Sequence, residues 1–275
     1  MTRELTELQA KLLPMLAWYH RFCVENKLRY YLLGGTMLGA ARHEGFIPWD
    51  DDIDVGMPRS DYERFLLLTS KHTYGPFIVE DIDTEAKDFF YGYAKIYDTT
   101  TTLVENTRYR IKRGLFIDLF PLDGVADKKE DIASVYRPIL SKYRLLLART
   151  CAIRKSRKWY KNLAVCIARA VPNGMLDNKR LMLSIDKMCR ENDYDKCEYV
   201  GNLYGNWGER EIVKRSIMGE PTFYKFEGLD VYGVSDYDAY LTSLYGDWRQ
   251  LPPKEKQVTH HDFLMLDLRK GYLME

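Results

Sequence analysis

Acidic side chains follow one another in the run Asp50-Asp51-Asp52-Ile53-Asp54 of this 275-residue chain. Successive side chains of a β-strand point to opposite faces, so a strand here would place Asp52 and Asp54 on one face. Neighbouring carboxylates repel each other, and a divalent cation bound through their oxygen atoms relieves that repulsion. We therefore predict a site for Mg²⁺ or Mn²⁺ whose direct ligands include Asp52 and Asp54. Asp50 is expected to support them, and Asp51 to have a structural role.

A further carboxylate lies inside the apolar segment Phe116-Ile117-Asp118-Leu119-Phe120. A charged group in such a segment loses its hydration unless it faces a metal ion or a charged partner. Asp118 is therefore predicted as the third metal-binding and catalytic carboxylate, beside Asp52 and Asp54.

A glycine turn, Gly34-Gly35-Thr36, precedes the acidic run. Backbone amides at the start of a helix, together with the helix dipole, favour bound phosphate, and glycine lets the backbone approach a ligand closely. A phosphate cradle and a set of carboxylates for one or two metal ions are what displacement at phosphorus requires. The combination predicts a metal-dependent phosphotransferase.

The hydrophobic pattern of the first half predicts mixed helices and strands that would position these residues. The predicted elements are a helix over residues 2–27 interrupted by Pro14, a strand over 28–33, a helix over 36–42, a strand over 50–57, a helix up to residue 70, and strands near 77–82, 93–97 and 115–120. The motif Ser60-x-x-Glu63 predicts a capping box at the start of the helix that ends at residue 70.

The second half has a different pattern. Residues 128–192 are mostly helical and basic in pattern, and they are followed by short aromatic-rich segments, a hairpin around Glu227-Gly228 and a last helical region. We therefore predict an α+β fold in which a mixed sheet in the first half is closed over by a mainly helical second half. No internal repeat or low-complexity linker divides the chain.

Composition and charge exclude several classes of protein. The formal net charge is +1, so the chain lacks the overall basic field of a nonspecific nucleic-acid-binding protein. Its 5 cysteines are odd in number and form no C-x-x-C pair, which argues against a disulfide framework and a structural zinc site. The N-terminus has no apolar signal segment, and no later stretch has the length of a membrane span, so we expect a cytoplasmic location.

Two adjoining motifs resemble the LicD family: residues 34–43 (GGTMLGAARH) and residues 45–54 (GFIPWDDDID). The resemblance continues through residues 93–96 (YAKI), residues 116–123 (FIDLFPLD) and the pair His260-His261, so it covers most of the chain. It implies a single catalytic domain over residues 1–275, with a nucleotidyltransferase-type mixed β-sheet core flanked by helices over residues 28–125. Residues 126–275 would then form the helical region that closes the site.

The resemblance also implies an activity. Family members transfer a substituted phosphate, often phosphocholine from CDP-choline, to a sugar hydroxyl of a cell-surface glycan precursor such as teichoic acid, lipopolysaccharide or capsular polysaccharide. Fukutin-like relatives use CDP-ribitol. Some relatives carry a zinc-binding insertion, and no cluster of cysteine and histidine here matches one. The implied step is metal-assisted attack of a sugar hydroxyl on the β-phosphorus of a CDP-alcohol, which expels CMP.

Carried onto this sequence, the family pattern makes Asp52, Asp54 and Asp118 the metal ligands. It places the glycine turn near the donor phosphates. It also makes Asp118 or a neighbouring carboxylate a candidate for the base that accepts the proton of the acceptor hydroxyl. The remaining residues expected to bind the donor or to close the site are Gly34, Gly35, Thr36, Arg42, His43, Lys95, His260 and His261. For Lys95, a plain surface ion pair is the alternative interpretation.

Two other functions remain open from the residues alone. The chain could attach a nucleoside monophosphate to a sugar, an antibiotic or a protein, or it could bind a divalent cation without catalysis. The alcohol carried by the donor is also open. A quaternary ammonium group would favour a cage of aromatic rings, for which Trp49, Tyr93, Tyr204 and Trp207 are candidates.

A basic stretch over residues 142–161 carries Arg144, Arg149, Arg154, Lys155, Arg157 and Lys158 among leucines and Trp159. A solvated helix face is one interpretation. The other is peripheral contact with anionic lipid at the inner face of the plasma membrane, which would bring the active site to a lipid-linked oligosaccharide acceptor.

Overall fold

A computed structural model describes residues 5–70, 73–84, 89–154, 157–172, 174–259 and 263–273. Its helices are α1 (Glu7–Glu25), α2 (Gly34–His43), α3 (Arg59–Thr69), α4 (Ile132–Thr150), α5 (Trp159–Ala170), α6 (Asn178–Cys189), α7 (Arg215–Met218) and α8 (Tyr237–Tyr245). Its strands are β1 (Tyr31–Leu32), β2 (Asp54–Pro58), β3 (Phe77–Glu80), β4 (Ala94–Glu105), β5 (Lys112–Ala126), β6 (Tyr199–Asn202), β7 (Ile212–Lys214), β8 (Thr222–Phe226), β9 (Leu229–Gly233) and β10 (Phe263–Asp267). Short 3₁₀ turns occupy Lys129–Asp131, Gly208–Glu211 and Lys254–Lys256.

Strand β5 is the centre of a mixed sheet. It pairs in parallel with β2 along one edge, and antiparallel with β4 and then β6 along the other. Strand β1 extends the sheet beyond β2, β3 and β10 pair with β4, and β7 pairs with β6. Strands β8 and β9 form a separate hairpin. Helices and a mixed sheet together confirm the predicted α+β fold.

The predicted elements of the first half are largely present, with three corrections. The strand predicted over residues 50–57 begins only at Asp54, so Asp52 lies in the loop before it. The predicted capping box is absent, because α3 begins at Arg59 after Pro58 and has no side-chain cap. Helix α1 runs through Pro14 without dividing.

The second half is richer in helix than in strand, and it also completes the sheet. Strands β6, β7 and β10 come from this half, so the sheet extends beyond the predicted core of residues 28–125. The hairpin predicted around Glu227-Gly228 is confirmed. These two residues have φ angles of 48° and 82° and form the two-residue turn between β8 and β9.

A buried ion pair joins three elements beneath the sheet. The guanidinium of Arg59, at the start of α3, donates to both carboxylate oxygens of Asp123 on β5, each at 2.7 Å. A further guanidinium nitrogen lies 3.1 Å from Asp186 of α6. Because a bidentate arginine–carboxylate pair has a fixed geometry, this contact sets how α3 and α6 pack on β5.

Within the described part of the chain, no helix combines the length and the hydropathy needed to cross a lipid bilayer.

Candidate active site

Three charged residues form a row across adjacent strands of the sheet. In the pairing register, Asp54 of β2 lies opposite Asp118 of β5, and Asp118 lies opposite Lys95 of β4. Side chains directly opposite each other on neighbouring strands share a face, so the three project into one cleft. The cleft has a volume of about 280 Å³, and Asp52, from the loop before β2, also lines it.

Alternation along β5 explains why Asp118 faces the cleft. Phe116, Asp118 and Phe120 all line the cleft. Ile117 and Leu119 lie on the opposite face and are fully buried. The apolar segment is therefore a strand buried on both faces, with one carboxylate on the side where the ligand would bind.

The loop that carries the acidic run is held from two sides. The Gln9 side chain of α1, itself buried, donates to the backbone carbonyl of Asp50 at 2.7 Å. The Glu227 side chain, from the hairpin turn, accepts a hydrogen bond from the backbone N–H of Phe46 at 3.0 Å. Residues far apart in sequence thus position the acidic loop against the sheet.

The glycine turn lies directly beside the carboxylates. The Thr36 hydroxyl is buried and accepts a hydrogen bond from the backbone N–H of Asp54 at 2.9 Å, so this side chain positions β2. Gly34 and Gly35 line the cleft. A Cβ atom on Gly35 would lie only 2.7 Å from Oδ2 of Asp50. A glycine at residue 35 therefore lets the Asp50 carboxylate lie against the start of α2, and a larger residue would displace that carboxylate.

The electrostatics of the cleft fit a divalent cation. Burial, followed by the negative charges of Asp52, Asp118, Asp50 and Glu211, raises the pKa of Asp54 well above its ordinary value. A bound cation reverses this effect, because it favours the ionised carboxylate. Asp118 also lines the cleft, and its Oδ1 is buried against Nζ of Lys95, 2.8 Å away, so it is the carboxylate of the row with a cationic partner.

The closest grouping of carboxylate oxygens among the described residues is not the predicted set. Oxygens of Asp50, Asp51 and Asp52 all lie within 4.8 Å of one another, and Asp51 also accepts a hydrogen bond from the Thr259 hydroxyl. Asp50 is predicted to support the ligands and Asp51 to have a structural role, but both lie close enough to Asp52 to bind the same metal ion. A donor set made only of carboxylate oxygens suits Mg²⁺ or Mn²⁺.

Lys95 is a buried residue of the cleft, with 1% of its surface exposed. Its Nζ lies 2.8 Å from Oδ1 of Asp118 in an ion pair, and 3.9 Å from Glu105. The same ammonium lies 3.4 Å from the ring centroid of Phe116 and 4.4 Å from that of Tyr91. The alternative of a surface ion pair is therefore wrong, since this lysine is a fixed positive charge beside Asp118.

Two other predicted donor-binding residues are not brought to the cleft. Arg42 and His43 lie at the C-terminal end of α2, about 12 Å along the helix axis from Gly34 at its start. Arg42 donates to the carbonyl of Trp248 and to the ring of His43, at 3.1 Å and 3.0 Å. The predicted pair His260-His261 lies outside the described residues.

The cleft holds another carboxylate, Glu211, which no local sequence pattern indicated. This residue is 6% exposed and lines the cleft, and it accepts a hydrogen bond from the backbone N–H of Trp207 at 2.9 Å. Burial raises the pKa of Glu211 to about 7, although hydrogen bonds from Trp207 and Asn202 partly lower it. In the sequence it belongs to the charged run Gly208–Glu211, Gly-Glu-Arg-Glu, which has the composition of a solvated turn.

The basic stretch over residues 142–161 divides into a buried part and an exposed part. Arg149 is fully buried, and its guanidinium donates to the carbonyls of Ala168, Val171 and Leu176, so it is excluded from any lipid-facing surface. Lys155 lies outside the described residues. Large exposed apolar side chains in this stretch include Leu147 of α4, Ile153, and Trp159 of α5, and along α5 they continue beyond residue 161.

Comparisons with known proteins agree with the motifs at the cleft. Residues 27–137 match the family model described as "LicD/FKTN/FKRP, nucleotidyltransferase domain". The lipopolysaccharide cholinephosphotransferase LicD of Haemophilus influenzae is 30% identical over 94% of this chain and 96% of its own length. The human ribitol 5-phosphate transferase FKRP is 56% identical over 34 residues, which are 12% of this chain and 7% of that protein.

The matched region contains the acidic run, Lys95 and Asp118, which are the residues that the fold brings into one cleft. Nearly the full lengths of this chain and of the Haemophilus protein correspond, so the similarity also extends over the helices and strands that follow β5. This chain belongs to the LicD family.

Proposed function

We propose that this protein transfers phosphocholine from CDP-choline to a sugar hydroxyl of a cell-surface glycan precursor, in a reaction that depends on Mg²⁺ or Mn²⁺. The row formed by Asp54, Asp118 and Lys95 beside the start of α2 carries the proposal. Choline as the alcohol is supported by the relative from Haemophilus influenzae, whose name gives lipopolysaccharide as the substrate that it modifies.

In this proposal Asp52, Asp54 and Asp118 hold the metal ion, with Asp50 and Asp51 close by. A bound divalent cation would offset negative charge on the donor phosphates. The start of α2 lies beside the same carboxylates, where its backbone N–H groups and helix dipole favour the diphosphate. Lys95 fixes the carboxylate of Asp118 through their ion pair and keeps it oriented in the cleft.

The transfer itself is a displacement at phosphorus. A bond forms between the sugar oxygen and the β-phosphorus, and the bond from that phosphorus to the bridging oxygen breaks, so that CMP leaves. A carboxylate within hydrogen-bond reach of the sugar hydroxyl accepts its proton. Asp118, held between Lys95 and Asp54, is the residue we assign to this step.

Product analysis tests the reaction type. Purified protein is incubated with Mg²⁺, CDP-choline and an extracted glycan precursor, and nucleotides are separated by chromatography. CMP release that depends on the acceptor supports the proposal. Pyrophosphate release from a nucleoside triphosphate would instead indicate nucleotidyl transfer. Full activity in both Asp52→Asn and Asp54→Asn would contradict a catalytic metal site and would leave cation binding as a structural role.

For the acceptor, we propose that an exposed apolar stripe on α5 contacts the membrane. The stripe consists of Trp159, Leu163 and Ile167. These side chains recur every four residues and are 76%, 51% and 63% exposed. Side chains at that spacing share one helix face. The exposed cations Lys158 and Lys161 lie on the same helix or directly before it. Aromatic and aliphatic groups beside lysines suit the surface of an anionic bilayer.

The stripe on α5 is linked to the cleft through the neighbouring helix α4. Helix α5 follows α4 and is tied to it by Arg149, and Leu147 of α4 both lines the cleft and is exposed. A bilayer under α5 would therefore bring a lipid-linked acceptor near the cleft opening. The expected result is flotation of the protein with liposomes that contain phosphatidylglycerol, and weaker flotation with pure phosphatidylcholine.

A matched pair of variants makes this test specific. Leu163→Ser is expected to reduce flotation, whereas Leu67→Ser, at an exposed leucine of α3, is expected to leave it unchanged. Equal flotation of both variants would contradict the membrane surface. A loss of self-association in Leu163→Ser, with no lipid binding in the parent protein, would also contradict it and would assign the stripe to a second copy of the chain.

A further inference from the structure

One buried charge in the cleft has no role in the transfer step. Glu211 lies in the 3₁₀ turn Gly208–Glu211 and is almost fully buried. Its carboxylate accepts a hydrogen bond from the backbone N–H of Trp207, and no lysine or arginine among the described residues forms an ion pair with it. A buried carboxylate without a cationic partner is costly to a fold unless a ligand supplies the positive charge.

Aromatic rings surround the part of the cleft that holds Glu211. Tyr143 and Tyr204 line it and pack edge to face, with ring centroids 5.4 Å apart. Trp207, 43% exposed, lines it too and packs against Tyr245 at 4.8 Å. Ring faces attract a cationic group most strongly when water is excluded, and a nearby carboxylate adds to that attraction.

A different aromatic cage in the same cleft is already filled. The rings of Tyr91 and Phe116 enclose the ammonium group of Lys95, with centroid distances of 4.4 Å and 3.4 Å. Those rings cannot also enclose a cation of the ligand, and Tyr93 lies on the same side, 5.8 Å from that ammonium. The rings around Glu211 remain for a ligand.

Glu211 and the rings around it lie in the same cleft as the carboxylates predicted to bind the metal ion. A Cβ atom on Gly34 would lie 3.7 Å from Oδ2 of Asp54 and 3.8 Å from the hydroxyl of Tyr245. Tyr245 in turn packs against Trp207. Gly34 and Tyr245 thus connect Asp54 with Trp207. Because Asp54, Trp207 and Glu211 line one cleft, a ligand whose phosphate lies at the carboxylates can extend its alcohol toward Glu211.

We propose that Glu211, with Trp207, Tyr143 and Tyr204, binds the cationic headgroup of the donor alcohol. This subsite rests on the proposed function, and it assigns the donor to the class of CDP-alcohols that carry a positive charge rather than a neutral polyol. The carboxylate supplies the charge partner, and the rings exclude water and contact the methyl groups of a quaternary ammonium.

The test compares two donors that differ only in charge. CDP-choline and CDP-3,3-dimethylbutanol have the same shape, because a carbon replaces the quaternary nitrogen in the second. Their dissociation constants are measured by calorimetry in Mg²⁺. We expect the parent protein to prefer CDP-choline by about tenfold or more, and Glu211→Gln to reduce that preference to about threefold or less, with binding of the neutral donor unchanged. Glu209→Gln, at an exposed residue of the same turn, is the matched control and should retain the preference.

Three results would overturn the subsite. Equal affinity of the parent protein for the two donors excludes a charge-selective site. Equal weakening of both donors by Glu211→Gln, with a lower melting temperature, assigns Glu211 to the structure. An equal fall in kcat for both donors at unchanged affinity assigns it to proton transfer. Failure of the proposed function is distinct, since the parent protein would then release CMP from neither donor.

Discussion

Asp54 and Asp118 lie directly opposite each other on neighbouring parallel strands, and Asp118 is paired on its other side with Lys95. The row therefore carries two negative charges and one positive charge, and only Asp118 has a cationic partner within it. Burial and the surrounding carboxylates leave Asp54 poorly disposed to carry its own charge. In the proposed site, a divalent cation at this end of the row would complete the balance of charge.

The ion pair between Lys95 and Asp118 predicts a result from a double-mutant cycle. Asp118→Asn should lower the free energy of unfolding by about 3–5 kcal/mol, because it removes the close partner of a buried lysine and leaves only the longer contact with Glu105. The double variant Lys95→Met/Asp118→Asn should recover most of that stability, since neither charge remains. Chemical denaturation measures both, and equal destabilisation in the single and double variants would contradict the pairing.

Activity should behave differently from stability in the same cycle. A lost metal ligand and a lost proton acceptor should reduce kcat by about 1,000-fold or more in Asp118→Asn. The double variant should stay inactive although its stability recovers. Activity that returned together with stability would show that Asp118 supports the fold rather than the reaction.

We expect Asp54→Asn to be more stable than the parent protein in the absence of metal. The raised pKa of Asp54 means that its ionised form is disfavoured in the folded state, and asparagine removes that cost. In EDTA near pH 8 the variant should melt above the parent protein, by about 2–4 °C for each kcal/mol gained. Mg²⁺ should then stabilise the parent protein and leave the variant unchanged. A variant that melts lower in EDTA would contradict the crowding of charge at this site.

The close approach of Gly35 to Asp50 predicts a variant that weakens metal binding with little change in the stability of the fold. A Cβ atom at residue 35 would displace the Asp50 carboxylate, which can move because it is the end of a side chain. Gly35→Ala should therefore weaken Mg²⁺ binding and lower activity by about tenfold, while the higher helix propensity of alanine keeps the change in stability below about 1 kcal/mol. Calorimetric titration with Mg²⁺ is the measurement.

Gly174→Ala is the control for that variant, because nothing lies within 4 Å of a Cβ atom there. It should leave Mg²⁺ affinity and activity at the level of the parent protein. Unchanged Mg²⁺ affinity in Gly35→Ala would show that the position of Asp50 has no influence on the metal site.

The local pattern of the sequence was sufficient for parts of the site that lie on regular elements. The apolar segment around Asp118 correctly indicated a strand, and its one carboxylate lines the cleft. Glycines before a helical pattern correctly indicated the start of α2 next to the site. In both places the local structure depends on a few adjacent residues, so those residues are sufficient to predict it.

Other parts of the site depend on contacts between residues far apart in the sequence, so no local pattern could predict them. Asp52 shares the cleft with Asp54 although no strand holds it, because Gln9 and the hairpin turn fix its loop. Arg42 is adjacent to the motif in sequence, but a helix of 10 residues carries it to the opposite end of α2. Glu211 lies in a charged turn that only the packing of the second half buries.

The raised pKa of Glu211 predicts a pH dependence of stability. Its pKa is about 7 in the folded protein and near 4.5 as an ordinary side chain, so the folded state binds the proton more tightly. Its contribution to stability is therefore fully present below about pH 4.5 and is lost as the pH rises through about 7, a change of about 3 kcal/mol. Glu211→Gln should remove this dependence and be more stable than the parent protein near pH 8.

Denaturant titrations of metal-free protein near pH 5 and near pH 8 measure the difference. The same loss of stability in the parent protein and in Glu211→Gln would show that Glu211 does not titrate in this range. Asp54 contributes a dependence of the same sign, so some loss of stability should remain in the variant.

Transfer of the choline phosphate tests the central claim most directly. CDP-choline is prepared with a radioactive label either in the choline or in the cytidine, and each form is incubated with the protein, Mg²⁺ and an extracted glycan precursor. We predict that the choline label appears on the glycan and the cytidine label appears in CMP, and that EDTA or Asp54→Asn abolishes both. Cytidine label on the glycan, or choline transfer that persists in Asp54→Asn, would contradict the assignment of this cleft as a metal-dependent phosphocholine transferase.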